Sequence, residues 1–408
     1  MRYCALTLTV VAIGYLATCN SLGHNYTTTD SVQQQQEETT ILRPVPALLH
    51  EETHPAVNAT EIQIKGKAGP PFQFRRAQFI TESHGWAMTS YSLYRTTDGG
   101  KSWERLSQEP EKDARFTAFS FVDESHGWMA IVKEDFAERY GVGISSSIMV
   151  TDDGGRSWNL QAGFKDEVQI NDIRFLNEKE GLAVGYKGPG NRADLGELFV
   201  LGTSNGGKEW NDISGPAKAA FKNRGERASD SGRYIQWTSS SILLLTQRGR
   251  VMSTRDSGKI WNTTAILKYE RPDGFVSSTG YHKLTLDPEN RIRVVAAAMG
   301  DEGYWGDFVI NEGGRWTSYE VTKTPILDAV FLSEQDVIAC GLNVRTVDEK
   351  ARHLKDAGII LRSFDGGKNW QSIYRSKTFE TFFYITKVKD NQFYAVSDTG
   401  TFLRFTLP

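Results

Sequence analysis

The sequence predicts an all-β chain, a seven-bladed β-propeller of four-stranded antiparallel blades whose ring is closed by an N-terminal strand completing the last blade. Three observations predict it. One stretch ending in tryptophan recurs six times, with the tryptophans at 103, 158, 210, 261, 316 and 370, so the steps are 55, 52, 51, 55 and 54 residues. A fixed period of this size marks a repeat architecture. Short apolar runs separated by tight turns fill each period, as in a blade of four strands. A seventh unit stops after its third strand, Thr401–Phe405, and leaves an edge that a spare N-terminal strand, Glu61–Lys65 or Phe72–Phe74, can fill.

The chain divides into 1–19, 20–58 and 59–408. Residues 1–19 read as an export signal: Arg2 supplies a minimal positive start, and Ala5–Ala17 is apolar but short for a membrane span. Leu16-Ala17-Thr18-Cys19 resembles a bacterial lipobox, which makes Cys19 the lipidation candidate. The expected location is periplasmic or at the cell envelope, with membrane contact only through the N-terminus. Residues 20–58 carry Gln33–Gln36, a run of acids and scattered prolines, and read as a disordered tether. The other cysteines are Cys4, in the signal, and Cys340, in an apolar strand, so no internal disulfide is expected. With 47 basic and 50 acidic residues the net charge is −3, which argues against nucleic acid. A monomer is expected.

Within 59–408 each unit begins with a strand such as Arg76–Ile80 or Phe116–Val122, then a turn such as Glu124-Ser125-His126-Gly127-Trp128, then an inner strand. A third strand enters the recurring stretch, whose form is Ser/Thr-x-Asp-x-Gly-x-x-Trp. Its acidic or amide residue is Asp98, Asp153, Asn205, Asp256, Asn311 or Asp365, and its tryptophan is Trp103, Trp158, Trp210, Trp261, Trp316 or Trp370. An Asp or Asn there accepts hydrogen bonds from its own turn. The glycine three residues before the Trp takes φ > 0 freely, and the indole covers the turn. The pattern resembles the Asp-box, or BNR repeat, in which these residues are structural and join the third and fourth strands of a blade. One carboxylate per turn falls short of the six to eight oxygens of a calcium site. His84 and His126 occupy equivalent turns and read as capping residues. No metal and no cofactor is expected.

The boxes mark one face as compact and leave the other, with the second-to-third-strand loops, for partners. Lys133–Gly143, Lys187–Leu195 and Asn343–Gly358 are long and charged. The last reads either as a solvated insertion or as a rim gripping a polypeptide or carbohydrate, with Arg192, Arg345, Lys350 and Arg352 as anchors. Many Asp-box propellers are sialidases, whose chemistry needs three arginines on the substrate carboxylate, a Tyr with a Glu partner, and an acid/base Asp. The Arg-Ile-Pro signature of that family is absent from the first blade, and Arg43-Pro44 lies in the tether. No facing carboxylate pair, Ser-His-Asp order, phosphate loop or zinc signature stands out, and no catalytic residue is assigned.

Phe121-Val122-Asp123-Glu124-Ser125-His126-Gly127-Trp128-Met129-Ala130, and again Phe175–Val184, alternate with the box. This alternation resembles the photosystem II stability/assembly factor family. The resemblance covers residues 72–408 and implies a seven-bladed non-enzymatic scaffold that binds a membrane-protein partner. In that family, arginines on the strand entering the box contribute to a basic patch; here the matching positions give Arg95, Arg362 and Arg404, with Val150, Gly202, Ser253 and Phe308 near the others. The expectation is a partner-binding scaffold; the alternative is a sialidase-like hydrolase or a glycan-binding lectin.

Overall fold

The computed structural model describes residues 39–42, 45–51, 57–64, 74–108, 114–135, 143–165, 167–189, 196–220, 230–238, 240–270, 276–277, 281–300, 303–322, 324–345, 355–378, 380–389 and 391–407. Four strands precede the first blade: β1 (Thr39–Leu42), β2 (Val45–Pro46), β3 (Leu49–Glu51) and β4 (Asn58–Gln63). Blade 1 is β5 (Phe74–Phe79), β6 (Gly85–Thr89), β7 (Ser92–Thr96) and β8 (Glu104–Gln108). Blade 2 is β9 (Ala114–Phe121), β10 (Gly127–Asp135), β11 (Gly143–Thr151) and β12 (Asn159–Phe164). Blade 3 is β13 (Val168–Phe175), β14 (Gly181–Lys187), β15 (Glu197–Thr203) and β16 (Asn211–Asp212), followed by the short helix α1 (Ser214–Ala219). Blade 4 is β17 (Gly232–Trp237), β18 (Ile242–Thr246), β19 (Arg250–Thr254) and β20 (Asn262–Glu270), with β21 (Val276–Ser277) beside β20. Blade 5 is β22 (Tyr281–Leu286), β23 (Ile292–Gly300), β24 (Gly303–Glu312) and β25 (Arg315–Thr322). Blade 6 is β26 (Ile326–Phe331), β27 (Val337–Arg345), β28 (Lys355–Ser363) and β29 (Trp370–Arg375). Blade 7 is β30 (Phe382–Lys389), β31 (Gln392–Ser397), β32 (Thr401–Thr406) and β4.

First strands touch first strands all the way round, from β5 through β9, β13, β17, β22, β26 and β30 back to β5. They therefore line the axis. The ring closes by the predicted device: β4 pairs antiparallel with β32, Asn58 opposite Thr406 and Gln63 opposite Thr401. Of the two spare strands, the one around Glu61 closes the ring. Phe74 instead begins β5, with its ring 5.3 Å from that of Tyr94.

The segment read as a tether differs in part. Residues 39–42, 45–46 and 49–51 form strands that pair in parallel with the outer strands β20, β25 and β29 of blades 4, 5 and 6. Leu42 is 1% exposed and sits in the seam between blades 4 and 5. Ala47 and Leu49 pack on the seam between blades 5 and 6, and Val57 lies in that between 6 and 7. Composition misses this strap because backbone groups do most of the pairing, and three or four apolar side chains anchor it. Residues 1–38, with Cys19, lie outside the described residues.

Five of the six boxes share one geometry. In blade 2, Asp153 Oδ1 accepts from the N–H of Arg156 (2.8 Å) and of Ser157 (2.9 Å), and Oδ2 accepts from the Ser157 hydroxyl (2.6 Å). The Thr151 hydroxyl donates to Asp153 (2.8 Å) and accepts from Gly155 N–H (2.9 Å), with Gly155 at φ 92°. Asp98, Asn205, Asp256 and Asp365 repeat the pattern through Thr96, Thr203, Thr254 and Ser363. The fifth copy is a different turn. Asn311 and Trp316 are paired residues of a hairpin in which Glu312 faces Arg315 across Gly313-Gly314. Val309 stands where the other copies have a hydroxyl, so the corner cannot form, and two glycines at φ 59° and 87° make a two-residue turn instead.

The Phe-to-Gly-Trp segment joins blades. Trp86 of blade 1 stacks on Phe121 of blade 2 (3.8 Å between centroids) and donates to Gly154 O in the box of blade 2 (3.0 Å). Trp128 repeats both contacts one blade on, with Phe175 (3.5 Å) and Gly206 O (3.1 Å). A Cβ on Gly127 would meet the Phe121 ring at 2.4 Å, which explains the glycine.

Two outcomes check this fold. Leu42→Ala is expected to cost about 2–4 kcal/mol, whereas Leu48→Ala, at a side chain 60% exposed, stays within about 0.5 kcal/mol; equal effects in urea melts would deny the strap its anchor. The Asp153 carboxyl is the second. Burial opposes its charge, but the hydrogen bonds from Ser157, Thr151 and Arg156 prevail and hold its pKa at about 2. A folded pKa below the unfolded value stabilises fully above pH ~4, and that contribution is lost as pH falls through about 2. The melting-temperature gap between wild type and Asp153→Ala is therefore expected to be full at pH 7 and to shrink steadily from pH ~4 towards ~2.

Candidate functional site: a cationic cavity on the propeller axis

All seven first strands contribute to one axial cavity of about 570 Å³. Its lining holds six cations, Arg75, Arg76, Arg115, Arg174, Arg233 and Lys283, and one carboxylate, Asp328. The lining comes mainly from the first halves of these strands, at the end shared with the second-to-third-strand loops. That is the face expected to be free of boxes.

The repeat itself explains the arrangement. The second residue of the first strand is Arg75 in β5, Arg115 in β9 and Arg233 in β17. A first strand points alternate side chains at the axis, and sevenfold repetition brings these positions together. Two buried acids partly neutralise the result. Asp172, 0% exposed, accepts from Arg76 Nη1 (2.5 Å) and from Ile235 N–H of the next blade (2.9 Å), with Arg174 Nε at 3.5 Å. Asp328, also 0% exposed, pairs with Lys283 and accepts from Ile385 N–H of blade 7 (3.0 Å). Each acid follows a β-bulge in its first strand, at Ile170/Asp172 and Ile326/Asp328. Each thus joins an inward cation to the backbone of the neighbouring blade.

Burial opposes charge on Arg174 and Lys283, but Asp172 and Asp328 respectively overcome it and hold both pKa values above the ordinary ones. Arg174 and Lys283 also lie 5.3 and 5.9 Å from the centre of the Tyr234 ring. Arg115 is held by Glu134 (2.8 Å). Arg75 and Arg233 have no hydrogen-bond or ion-pair partner among the described residues. The Arg233 side chain is open to solvent, yet the protein around it lowers its pKa by desolvation. Burial also raises the pKa of Tyr384, against the pull of Lys283. The cavity is therefore built to attract and orient anionic groups. Among the described lining residues the one carboxylate, Asp328, already serves Lys283 and a backbone N–H.

Of the anchors read from the sequence, Arg192, Lys350 and Arg352 lie outside the described residues, and Arg345 is the last residue of β27. The long loops read in blades 2 and 6 prove shorter than expected, because β10, β11, β27 and β28 extend into them. The axial cations were missed although a signal existed: aligned by their first strands, three units carry arginine at the second position. One cluster also appears where none was expected. Ligand-type atoms of Asp123, His126 and Glu178 come within 4.8 Å of one another. Asp123 Oδ2 already bonds the ring of His126 (2.7 Å), and its Oδ1 takes the N–H groups of Ser125 and His126 (both 2.7 Å). That bond raises the His126 pKa and makes the pair a turn cap.

Fold and repeat together define a sialidase-like Asp-box propeller. Within that class the chain resembles the photosystem II stability/assembly factors. It is 25% identical over 340 residues to photosystem II stability/assembly factor HCF136, chloroplastic, of Arabidopsis thaliana, which covers 78% of this chain and 71% of that one. The solved structure of YCF48 bound to D1 peptide superposes with TM-score 0.56 at 18% identity, over 89% of this chain and 100% of that one. The Niastella koreensis GH74 enzyme gives TM-score 0.51 at 12% identity, over 79% and 51%. No family model matches the chain. Among the described residues no helix is long and apolar enough to cross a membrane.

Removing one buried acid leaves its cation unpaired. Asp328→Asn is expected to destabilise the fold by about 3 kcal/mol. Arg233→Ala, which breaks no described pair, is expected to change stability by less than about 0.5 kcal/mol in the same denaturant titration.

Proposed function

We propose that this chain is an exported, non-enzymatic scaffold that binds a protein partner at the cell envelope, and that the axial cavity receives an acidic segment of that partner. The observation that carries this reading is the concentration of cations on the axis, with Arg75 and Arg233 without a partner among the described residues. Arginine suits the task because its planar fork takes carboxylates in bidentate fashion. The likeness to the stability/assembly factors supports the scaffold role, and the description of one structural neighbour as bound to a D1 peptide supports a polypeptide ligand, with a membrane protein as the partner class. Arg192, Arg345, Lys350 and Arg352 would extend the contact along the loop-rich rim. Residues 1–19 serve as the export signal, with Cys19 as the lipidation candidate, and the propeller works as a monomer.

The hydrolase or lectin alternative is disfavoured by the lining. A sialidase-type nucleophile needs a tyrosine with a carboxylate partner, and a glycosidase needs two facing carboxylates. Among the described residues lining the cavity, Asp328 is the only acid and is already paired. The test uses the full chain and a labelled glutamate-rich peptide, with its glutamine counterpart as control. Binding of the acidic peptide is expected to weaken at least tenfold in Arg75→Ala/Arg233→Ala and to fall with added salt. Equal binding of both peptides, or no effect of the double substitution, would remove the axial site. Turnover of an aryl glycoside that is lost in Asp328→Asn would restore the hydrolase.

A further inference from the structure

Each first strand pairs with the second strand of its own blade, and in every blade that pairing skips one residue in the first half of the first strand. The skipped residues are Arg75, Thr117, Asn171, Arg233, His282, Leu327 and Phe383. A bulge of this kind bends the strand and re-aims a side chain. Arg75, Thr117, Asn171, Arg233, Leu327 and Phe383 all line the axial cavity. Seven equivalent bulges in seven equivalent strands thus place one annulus of residues around the axis.

The annulus has two unlike sides. It runs Arg, Thr, Asn, Arg over blades 1 to 4, and Leu, Phe over the neighbouring blades 6 and 7. Thr117 and Asn171 are committed to the wall. The Thr117 hydroxyl donates to Ala130 O (3.2 Å), and the Asn171 amide donates to Ser231 Oγ and to Gly232 O (both 2.9 Å). Arg75 and Arg233 are exposed and stand three blades apart, the furthest that a ring of seven allows. Leu327 and Phe383 are half-buried and lie across the cavity from Thr117 and Asn171. At this level the wall offers a ligand two guanidinium groups on distant blades and one apolar pair.

We propose that the axial site selects an extended segment of the partner in which an apolar side chain accompanies two acidic ones. The acids go to Arg75 and Arg233, and the apolar side chain goes to Leu327 and Phe383. This rests on the axial cavity being the site of an acidic segment and adds what that segment must carry beside its charge. An extended chain of the polyproline type has about three residues per turn and so turns successive side chains to three sides. Two acids followed by one apolar residue then meet the two arginines and the apolar pair together. A fatty acid has the apolar part but only one anionic group, and cannot serve both arginines.

The test adds two labelled peptides of equal length and charge to the full chain, one of three Glu-Glu-Leu repeats and one of three Glu-Glu-Ser repeats. The leucine peptide is expected to bind about tenfold more tightly. Leu327→Thr/Phe383→Thr is expected to close that gap and to leave the serine peptide unchanged. The comparison on the unaltered chain decides the matter even where the double variant fails to fold. Equal binding of the two peptides, both lost in Arg75→Ala/Arg233→Ala, would overturn this inference and leave the acidic site standing. Binding of neither would remove both. A gap that survives in a folded Leu327→Thr/Phe383→Thr would overturn the apolar pair. Tenfold tighter binding of both peptides in the full chain carrying Asp30→Asn/Glu37→Gln/Glu38→Gln would make the chain's own N-terminal segment the occupant and overturn the assignment to a partner.

Discussion

The ring exists because residues 58–63 pair with residues 401–406. Every other blade is built from strands that follow one another closely, so its pairing is local and forms readily. Blade 7 gains its fourth strand only when two stretches more than three hundred residues apart meet. Until they do, β32 presents a bare edge and the first and last blades lack a common seam. Gln63 donating to the Thr401 hydroxyl (2.7 Å) and the inter-blade bond from Tyr374 to Glu61 lock the register of that one antiparallel pair. The strap explains how the N-terminal strand arrives in place. It crosses blades 4, 5 and 6 in order and delivers β4 to the seventh, so the seams it plugs and the ring it closes belong to one path.

Closure also creates the axis. The first strands place Arg75, Arg76, Arg115, Arg174, Arg233 and Lys283 around that cavity. Their charge must then be balanced. Asp172 and Asp328 do this from bulges, where the strand turns a carboxylate towards both an inward cation and the next blade's N–H. Buried pairs of this kind add little net stability but make loss of either partner costly. The wall is thereby held in place, while Arg75 and Arg233 remain outside the internal accounting and keep their capacity for an external anion.

Fold and repeat were legible because they depend on residues with one physical job. A Thr, an Asp, a Gly and a Trp at constant spacing can make one corner and little else, and Gly127 under the Phe121 ring is equally specific. Where the fifth copy lost its hydroxyl to Val309, the same spacing hid a different turn, and only the missing donor betrayed it. The strap was illegible for the opposite reason. Parallel pairing on an edge uses backbone groups that every residue has, and Thr39 to Glu51 resembles a linker in composition. The axial site falls between these cases. No arginine of the first strands is unusual alone, and their convergence appears only when the units are superposed on a circle.

The distribution of satisfied and unsatisfied groups then decides which surfaces are available. On the box face, the turn after the first strand and the box itself are bonded to each other, as in Gly99 N–H to Ser83 O (3.0 Å) and Gly154 N–H to Ser125 O (2.8 Å), and tryptophans from the preceding blade bond the same corners. Backbone groups spent in this way cannot recruit a ligand. Among the described residues the opposite end of the axis holds guanidinium groups without a partner, and on the circumference β4, β8, β12 and β16 end their sheets. The same repeat thus seals one face through its corners and leaves its openings where the repetition is broken or its charges converge.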